Sequence, residues 1–132
     1  MERKQEENWH IVGSIPANIA KQIGMTDTTP VWISDRIIRH ITKQHGNELQ
    51  KGNTTVASFV HKVVNNFDTV YRQQDGTLLL AIEKSKTAMV TYIKLELATE
   101  NYWRVRSAHI RRLSELNNFI HVWSKKKSIT KK

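Results

Sequence analysis

The sequence predicts an α+β domain in which N-terminal helices pack on a four-stranded antiparallel β-sheet. Amphipathic helical patterns are concentrated in the first half of the chain, and short strand-like segments separated by turn residues follow in the second half. Helices that precede a run of consecutive strands favour this class over alternating βα units. With 132 residues, the chain has room for one hydrophobic core.

We expect this core to lie in a single domain over residues 9–123. Residues 1–8 are almost all charged or polar and are predicted to form a flexible lead-in. Residues 124–132 contain five lysines and are predicted to form a disordered basic tail. The chain contains no cysteine, which excludes disulfides, thiolate catalysis and cysteine-based zinc sites.

The first half begins with a short strand predicted at residues 9–12. Pro16 suits the first turn of a short helix that ends near Gly24. Ser34 is a suitable N-cap for a second helix, which the pattern places from residue 35 to about residue 45. Gly46 is expected to end that helix.

A third helix is predicted from residue 54 or 55 to residue 66. Its apolar residues recur at helical spacing, at Val56, Phe59, Val60, Val63, Val64 and Phe67. This apolar face requires a partner, and the strands that follow supply one. They are predicted as a meander at residues 69–73, 77–84, 88–98 and 102–110. A helical turn at 111–116 and a last strand at 119–123 complete the prediction.

The charge balance points to a polyanionic partner. The chain has 21 lysines and arginines against 12 acidic residues, for a formal charge of +9. Nucleic acid is the first expectation. A membrane is the weaker alternative, because no window approaches the roughly 18 apolar residues that span a bilayer.

The strand at residues 102–109 carries an unusual set of side chains. Because alternate residues of a β-strand share a face, we expect one face to carry Tyr102, Arg104 and Arg106. Two guanidiniums about 7 Å apart on a sheet suit the binding of phosphates. Their structural alternative is cross-strand pairing with Glu83 or Glu96. The opposite face is predicted to carry Trp103, Val105, Ser107 and His109, and a bulge would turn either of the last two towards a groove.

Two histidines lie on the second predicted helix. His40 falls at the edge of the buried stripe, one turn after Arg36, where it is either a half-covered boundary residue or a group that reaches a substrate. His45 is expected in the last turn, where it can also serve as a structural cap. Their i, i+5 spacing argues against a shared metal, because two zinc ligands on one helix are expected about four residues apart.

On the neighbouring strand, Lys94 shares a face with Tyr92 and is either a phosphate ligand or an ordinary exposed lysine. Tyr102 either stacks on a base or covers the edge of the sheet. No glycine-rich phosphate loop and no carboxylate cluster for a divalent cation occurs in the sequence. We therefore predict no cofactor and no metal.

The segment from Val31 to His45, which includes the second predicted helix, followed much later by the strand at residues 102–108, resembles the phage-associated branch of the barnase-EndoU-colicin-RelE group of ribonucleases. The resemblance covers roughly residues 32–109. In that family the late strand reads approximately W-x-V-x-T-A, and Ser107 here replaces the usual threonine while keeping the hydroxyl.

The resemblance implies a barnase/RelE-like fold and metal-independent cleavage of RNA by transesterification through the 2′-hydroxyl group. The implied catalytic residues are His40, His45, Arg104 and Ser107. The implied substrate-binding residues are Arg36, Lys94, Tyr102 and Arg106. His40 is assigned as base or acid, and Arg104 and Lys94 as cations that stabilise the developing charge.

Two other functions remain open at this point. The chain could be a non-catalytic nucleic-acid-binding module, or an adaptor domain of a phage or mobile element that binds an acidic protein. For the nuclease, the expected partners are RNA, with tRNA among the candidates, and an acidic inhibitor or immunity protein. The expected site of action is the cytoplasm, and the nuclease could be delivered as part of a toxin or phage polypeptide.

Overall fold

The computed structural model describes residues 8–24, 28–50, 54–96 and 101–125. Within these ranges the chain forms seven strands, three α-helices and one 3₁₀ helix. In chain order they are β1 (Trp9–Ile15), α1 (Ala17–Gln22), β2 (Thr29–Ser34), α2 (Asp35–Gln50), α3 (Val56–Asn66), β3 (Thr69–Arg72), β4 (Leu78–Glu83), β5 (Thr87–Glu96), β6 (Tyr102–Arg112), the 3₁₀ helix (Leu113–Asn118) and β7 (Ile120–Ser124).

All seven strands belong to one mixed sheet, in the order β1-β2-β6-β5-β4-β3-β7. The α+β class is confirmed, and the predicted meander forms the centre of the sheet as β3 to β6. The prediction of a four-stranded antiparallel sheet is wrong, because β7 extends one side and β1 and β2 extend the other. Strand β2 joins β6 in parallel, through Val31 opposite Trp103 and Trp32 opposite Arg104.

The main core lies between one face of the sheet and the helices. Helix α3 buries the apolar stripe predicted for it, and Phe59, Val60 and Val63 are no more than 1% exposed. Its N-cap is Thr55, whose hydroxyl oxygen accepts a hydrogen bond from the backbone N–H of Ser58 at 3.2 Å. Burial of this stripe holds the helix on the sheet.

The opposite face of the sheet is covered over only part of its area. There the 3₁₀ helix and Phe119 pack on a second, smaller apolar cluster that contains Leu79, Val90, Tyr92 and Leu116. The rest of this face, formed by β1, β2 and the first half of β6, has no helix packed on it among the described elements. We call this surface the open face.

Helix α2 is longer than predicted. Its N-cap is Ser34 as expected, since the Ser34 hydroxyl accepts from the N–H of Ile37 at 3.2 Å. The prediction that Gly46 ends the helix is wrong, because the helix continues to Gln50. Burial of Leu49 and a contact of Glu48 with β6 hold the last turn in place. These contacts outweigh the cost of about 1 kcal/mol for glycine inside a helix.

Several sequence predictions lie partly or wholly outside the described residues. The lead-in is described only from Asn8 and the tail only to Lys125, so the placement of both remains a prediction. The predicted end of the third meander strand, at residue 98, lies outside as well. Among the described residues, no helix has the length and apolar character needed to cross a bilayer.

Candidate active site on the open sheet face

A β-bulge in β6 decides which of its side chains lie on the side of the sheet that includes the open face. Tyr92 lies opposite Ser107, but the next residue of β5, Ile93, lies opposite Val105, so Arg106 is the extra residue. The predicted alternation is therefore wrong beyond Val105. Because opposite residues of paired strands share a face, Ser107 lies on the face of Tyr92 rather than on that of Trp103.

The same bulge moves the residues that follow it. Ala108 enters the main core, where it is fully buried. His109 lies opposite Val90 and thus joins the face that carries Ser107 and Arg104. The regular 7 Å spacing predicted for Arg104 and Arg106 is lost, and Arg106 is exposed at the bulge.

The imidazole of His109 is held in a stack of three rings. The His45 ring lies 4.6 Å away between centroids with an interplanar angle of 17°. The Tyr92 ring lies 5.3 Å away, also at 17°. His45 reaches this position because α2 runs beside the edge of β6 that β2 leaves unpaired. The structure therefore brings one predicted catalytic histidine together with a histidine from the neighbouring strand.

Glu48 attaches the end of α2 to this edge. One of its carboxylate oxygens accepts a hydrogen bond of 2.7 Å from the backbone N–H of Ile110. The other lies 3.7 Å from Nδ1 of His45. The Glu48 carboxylate thus satisfies a free donor of β6 and places a negative charge near the His45 ring.

Each imidazole keeps one nitrogen available. Nδ1 of His109 lies 3.3 Å from the backbone carbonyl of Ile110, and since a carbonyl can only accept, this contact requires the proton on Nδ1. Nδ1 of His45 faces Glu48. Neither Nε2 atom has a hydrogen-bond partner among the described residues. One nitrogen of each stacked ring is therefore free to exchange protons with a substrate.

The surroundings of His109 favour its neutral form. Burial is the largest cause that lowers the pKa of His109 below the ordinary value of 6.5, and the positive charges of His45 and Arg111 lower it further. The hydrogen bond to the Ile110 carbonyl and the charge of Glu48 act in the opposite direction without reversing the shift. A neutral imidazole with a free Nε2 can act as a general base near neutral pH.

Arg111 places a cation behind this stack. Its guanidinium donates to the Tyr92 hydroxyl at 2.6 Å and to the Glu115 carboxylate at 3.2 Å. Its central carbon lies 5.3 Å from the centroid of the Phe119 ring, in a cation–π contact. Three contacts therefore fix one guanidinium next to the ring that stacks on His109.

Arg104 and Lys94 lie directly opposite each other on β6 and β5. Both already contact a carboxylate: Arg104 lies 2.7 Å from Glu96, and Lys94 lies 3.7 Å from Asp75. The structural alternative of pairing with Glu96 is thus present for Arg104. About a third of each side chain stays exposed, at 33% for Arg104 and 38% for Lys94, so both retain donors for a substrate.

The other predicted site residues fall into two groups. Ser107 lies opposite Tyr92 at the stack, and Tyr102 lies on the open face. His40 and Arg36 are exposed on α2 and have no hydrogen bond, ion pair or ring contact with the described residues. The roles assigned to these residues stay predictions.

Sequence reasoning missed Glu48, Tyr92, His109 and Arg111 as members of the site. A bulge that turns His109 is among the sequence predictions, but the strand pattern does not show at which residue the bulge lies. The sequence did contain one sign of the bulge. Strict alternation would place the apolar Ala108 on the polar face of the strand, and this mismatch indicates that the alternation is interrupted.

His45, Glu48 and His109 also have the composition of a metal site. Their ligand atoms lie within 4.8 Å of one another. However, the two rings are stacked, so their in-plane lone pairs run nearly parallel and do not converge on one point. The Glu48 oxygens are engaged as well. This arrangement fits proton transfer better than coordination of an ion.

The fold and the site define an α+β protein with paired imidazoles on a cation-bearing sheet, groups suited to acid–base chemistry on a polyanion. The family model described as phage-Barnase-EndoU-ColicinE5/D-RelE like nuclease3 matches residues 10–118, and the chain therefore belongs to this nuclease family. The resemblance seen in the sequence is thus confirmed. No curated protein and no solved structure gives a significant match.

Proposed function

We propose that the protein is a metal-independent endoribonuclease that cleaves RNA by transesterification through the 2′-hydroxyl group. The observation that carries this proposal is the His45–His109 stack, in which each ring keeps a free nitrogen, on the same sheet face as Arg104 in a nuclease-family chain. The family supports nuclease activity. The choice of RNA and the absence of a metal rest on the residues of the site.

In this mechanism, Nε2 of neutral His109 takes the proton from the 2′-hydroxyl group, and the resulting oxygen attacks the adjacent phosphorus. Protonated His45 gives its proton to the departing 5′-oxygen. The two rings that move these protons are stacked with their centroids 4.6 Å apart.

The cations bind the RNA backbone beside the cleaved phosphate. Arg104 and Lys94 lie opposite each other on the face that carries His109, about 13 Å along the strands from it, and hold phosphates that flank the cleavage site. The Ser107 hydroxyl lies between them and His109 along β6 and is placed to donate to a phosphoryl oxygen. Arg106, exposed at the bulge, is assigned to a flanking phosphate. The products are a 2′,3′-cyclic phosphate and a 5′-hydroxyl end.

The test is cleavage of single-stranded RNA by the purified chain in EDTA, with the ends of the fragments mapped. Asparagine is substituted separately for His109, His45 and His40. We expect His109→Asn and His45→Asn to lower kcat about 10²- to 10⁴-fold, the usual contribution of one acid–base group. His40→Asn is the matched control, because it removes an exposed histidine of the same helix.

Each outcome separates one part of the proposal. If His40→Asn abolishes cleavage while His109→Asn retains it, the base is His40 and the role of His109 is refuted. If the wild-type chain binds RNA in a salt-sensitive manner but leaves it intact, the binding module replaces the nuclease. Thermal unfolding of each variant shows whether the fold is retained.

The exposed arginines of β6 also suit the binding of the acidic inhibitor that the sequence leads us to expect. An inhibitor that places carboxylates against Arg104 and Arg106 would block the site and associate rapidly because of the +9 charge of the chain.

A further inference from the structure

Four large side chains lie together on the open face, in addition to the groups used by the proposed reaction. We call Trp9, Ile11, Trp32 and Tyr102 the aromatic strip. Trp32 follows the buried Val31 and precedes the buried Ile33, so it points away from the main core. Ile11 lies opposite Trp32 on the neighbouring strand and therefore shares its face.

A ring contact confirms that the outer members share this face. The Trp9 and Tyr102 rings meet at 6.4 Å between centroids with an interplanar angle of 78°. Strand β2 lies between their two strands, so the contact must pass over one face of β2. His10, which alternates with Trp9, instead contacts Asp35 at the start of α2 on the helix side.

The strip is open to solvent. Trp9 is 37% exposed and Ile11 is 59% exposed, although both are large apolar residues. The edge-to-face geometry of Trp9 and Tyr102 leaves ring faces that are not stacked on each other. Exposed apolar surface beside polar residues usually marks a binding site.

The strip adjoins the cations of the proposed active site. Trp32 lies opposite Arg104, and Arg104 lies opposite Lys94, so aromatic and basic side chains continue across three strands. From Arg104 to His109 the path runs beside the four residues of β5 from Lys94 to Val90, or about 13 Å at 3.3 Å per residue, because Arg106 is the extra residue of the bulge. This distance corresponds to a few nucleotides of RNA.

We propose that the aromatic strip is a base-stacking subsite that selects single-stranded RNA and guides it across Arg104 to the His45–His109 stack. The direction of the path rests on the proposed function, whereas the stacking itself does not. Unpaired bases offer their faces to aromatic rings, whereas the bases of a duplex are stacked inside it. Arg104 and Lys94 neutralise the backbone while the rings hold the bases.

The test uses a probe that cannot be cleaved. A fluorescein-labelled single-stranded 2′-O-methyl RNA lacks the attacking hydroxyl, so binding is measured independently of catalysis. We expect Trp9→Ala and Trp32→Ala each to weaken binding roughly 10-fold or more, the effect of losing one stacked base. Trp9→Phe is expected to restore most of the affinity, because it keeps an aromatic face.

Ile120→Ala is the matched control, because Ile120 is a large apolar residue, 48% exposed, on the far edge strand β7. It should bind the probe as the wild type does. A duplex of the same sequence should bind more weakly to the wild type and respond little to Trp9→Ala.

Two outcomes overturn the subsite. One is unchanged affinity of Trp9→Ala and Trp32→Ala for the single strand. The other is wild-type dimerisation in sedimentation that Trp9→Ala abolishes without loss of probe binding, which would make the strip a protein interface. If the wild type binds the probe through the strip but cleaves no RNA, the subsite stands and the proposed reaction fails.

Discussion

At the residue scale, the position of His109 on β6 determines its protonation state. On a regular strand it would lie on the face of the buried Trp103, but the bulge at Arg106 moves it to the opposite face. There burial between His45 and Tyr92 favours the neutral ring, while the Ile110 carbonyl fixes the proton on Nδ1. Its burial thus favours the neutral ring that the proposed base requires, and the Ile110 contact leaves Nε2 free.

This environment predicts the acidic limb of the pH profile. Burial lowers the pKa of His109 below 6.5, so the base stays unprotonated to a lower pH than an exposed histidine would. We expect kcat/KM to fall only as the pH drops through a value below 6.5. The measurement is the pH dependence of kcat/KM for cleavage of a short RNA.

The same shift has a consequence for stability. Because the unfolded chain binds the proton more tightly than the folded chain, the free energy of unfolding should fall as the pH drops below 6.5. That fall ends below the pKa of the folded state. In His109→Asn, the contribution of this residue to the pH dependence should be absent, and an unchanged profile would contradict the assignment.

A second prediction at this scale concerns two buried threonines. Thr91 is fully buried, and its hydroxyl has no partner among the described residues. Thr91→Val should therefore stabilise the protein by about 1 kcal/mol. Thr69 is the matched control, because its hydroxyl donates to Asp68 at 2.9 Å and Thr69→Val should cost about 1 kcal/mol. Urea unfolding measures both, and the same sign for the two variants would refute the argument.

At the element scale, the important contact is that of α2 with the edge of β6. Strand β2 covers only the first part of β6, at Trp103 and Arg104. The end of α2 covers a later part, through Glu48 and the N–H of Ile110. The helix therefore caps an exposed strand edge and supplies His45 to the site in one arrangement.

Glu48 tests this coupling. Glu48→Ala should cost about 1 kcal/mol of stability, because the N–H of Ile110 loses its acceptor, and should also lower kcat because the negative charge near His45 is lost. Glu48→Gln keeps an acceptor for Ile110 but removes the charge near His45. Its unfolding midpoint should stay near that of the wild type while the pH profile of kcat changes. Equal losses of stability in the two variants would contradict this division of roles.

At the scale of the whole molecule, charge and shape act together. The chain carries a formal charge of +9. Arg104 and Lys94 lie opposite each other beside the aromatic strip, and Arg106 is exposed at the bulge. The helices and the main core lie on the other side of the sheet. One face of the sheet thus packs against the main core, and part of the opposite face stays uncovered, where we propose that a ligand binds.

This arrangement predicts a defined salt dependence. Three phosphate contacts on a single strand give a slope of about −2 for log K against log salt, so affinity for the uncleavable probe should fall roughly 15-fold between 50 and 200 mM salt. Lys94→Gln should reduce the slope by about 0.7. Lys62→Gln, on the exposed side of α3, should leave it unchanged. A slope near zero would exclude phosphate contacts as the main source of affinity.

The elements that the sequence predicted are those that local patterns determine. Helix α3, the N-cap at Ser34 and the meander strands were predictable, because local patterns of apolar residues and turns determine them. The length of α2 was not, because Leu49 and Glu48 extend it through contacts with distant parts of the chain. The parallel pairing of β2 with β6 was not predictable either, since it joins segments about 70 residues apart.

The sequence by itself determined the α+β class, the basic character and the nuclease family. All of these depend on composition, short-range periodicity and motifs. The tertiary structure decided that His45 meets His109, that Glu48 joins them to β6, and that Trp9 and Trp32 face the same side as Arg104. The physical reason is the register of β6, where one extra residue reverses every following side chain.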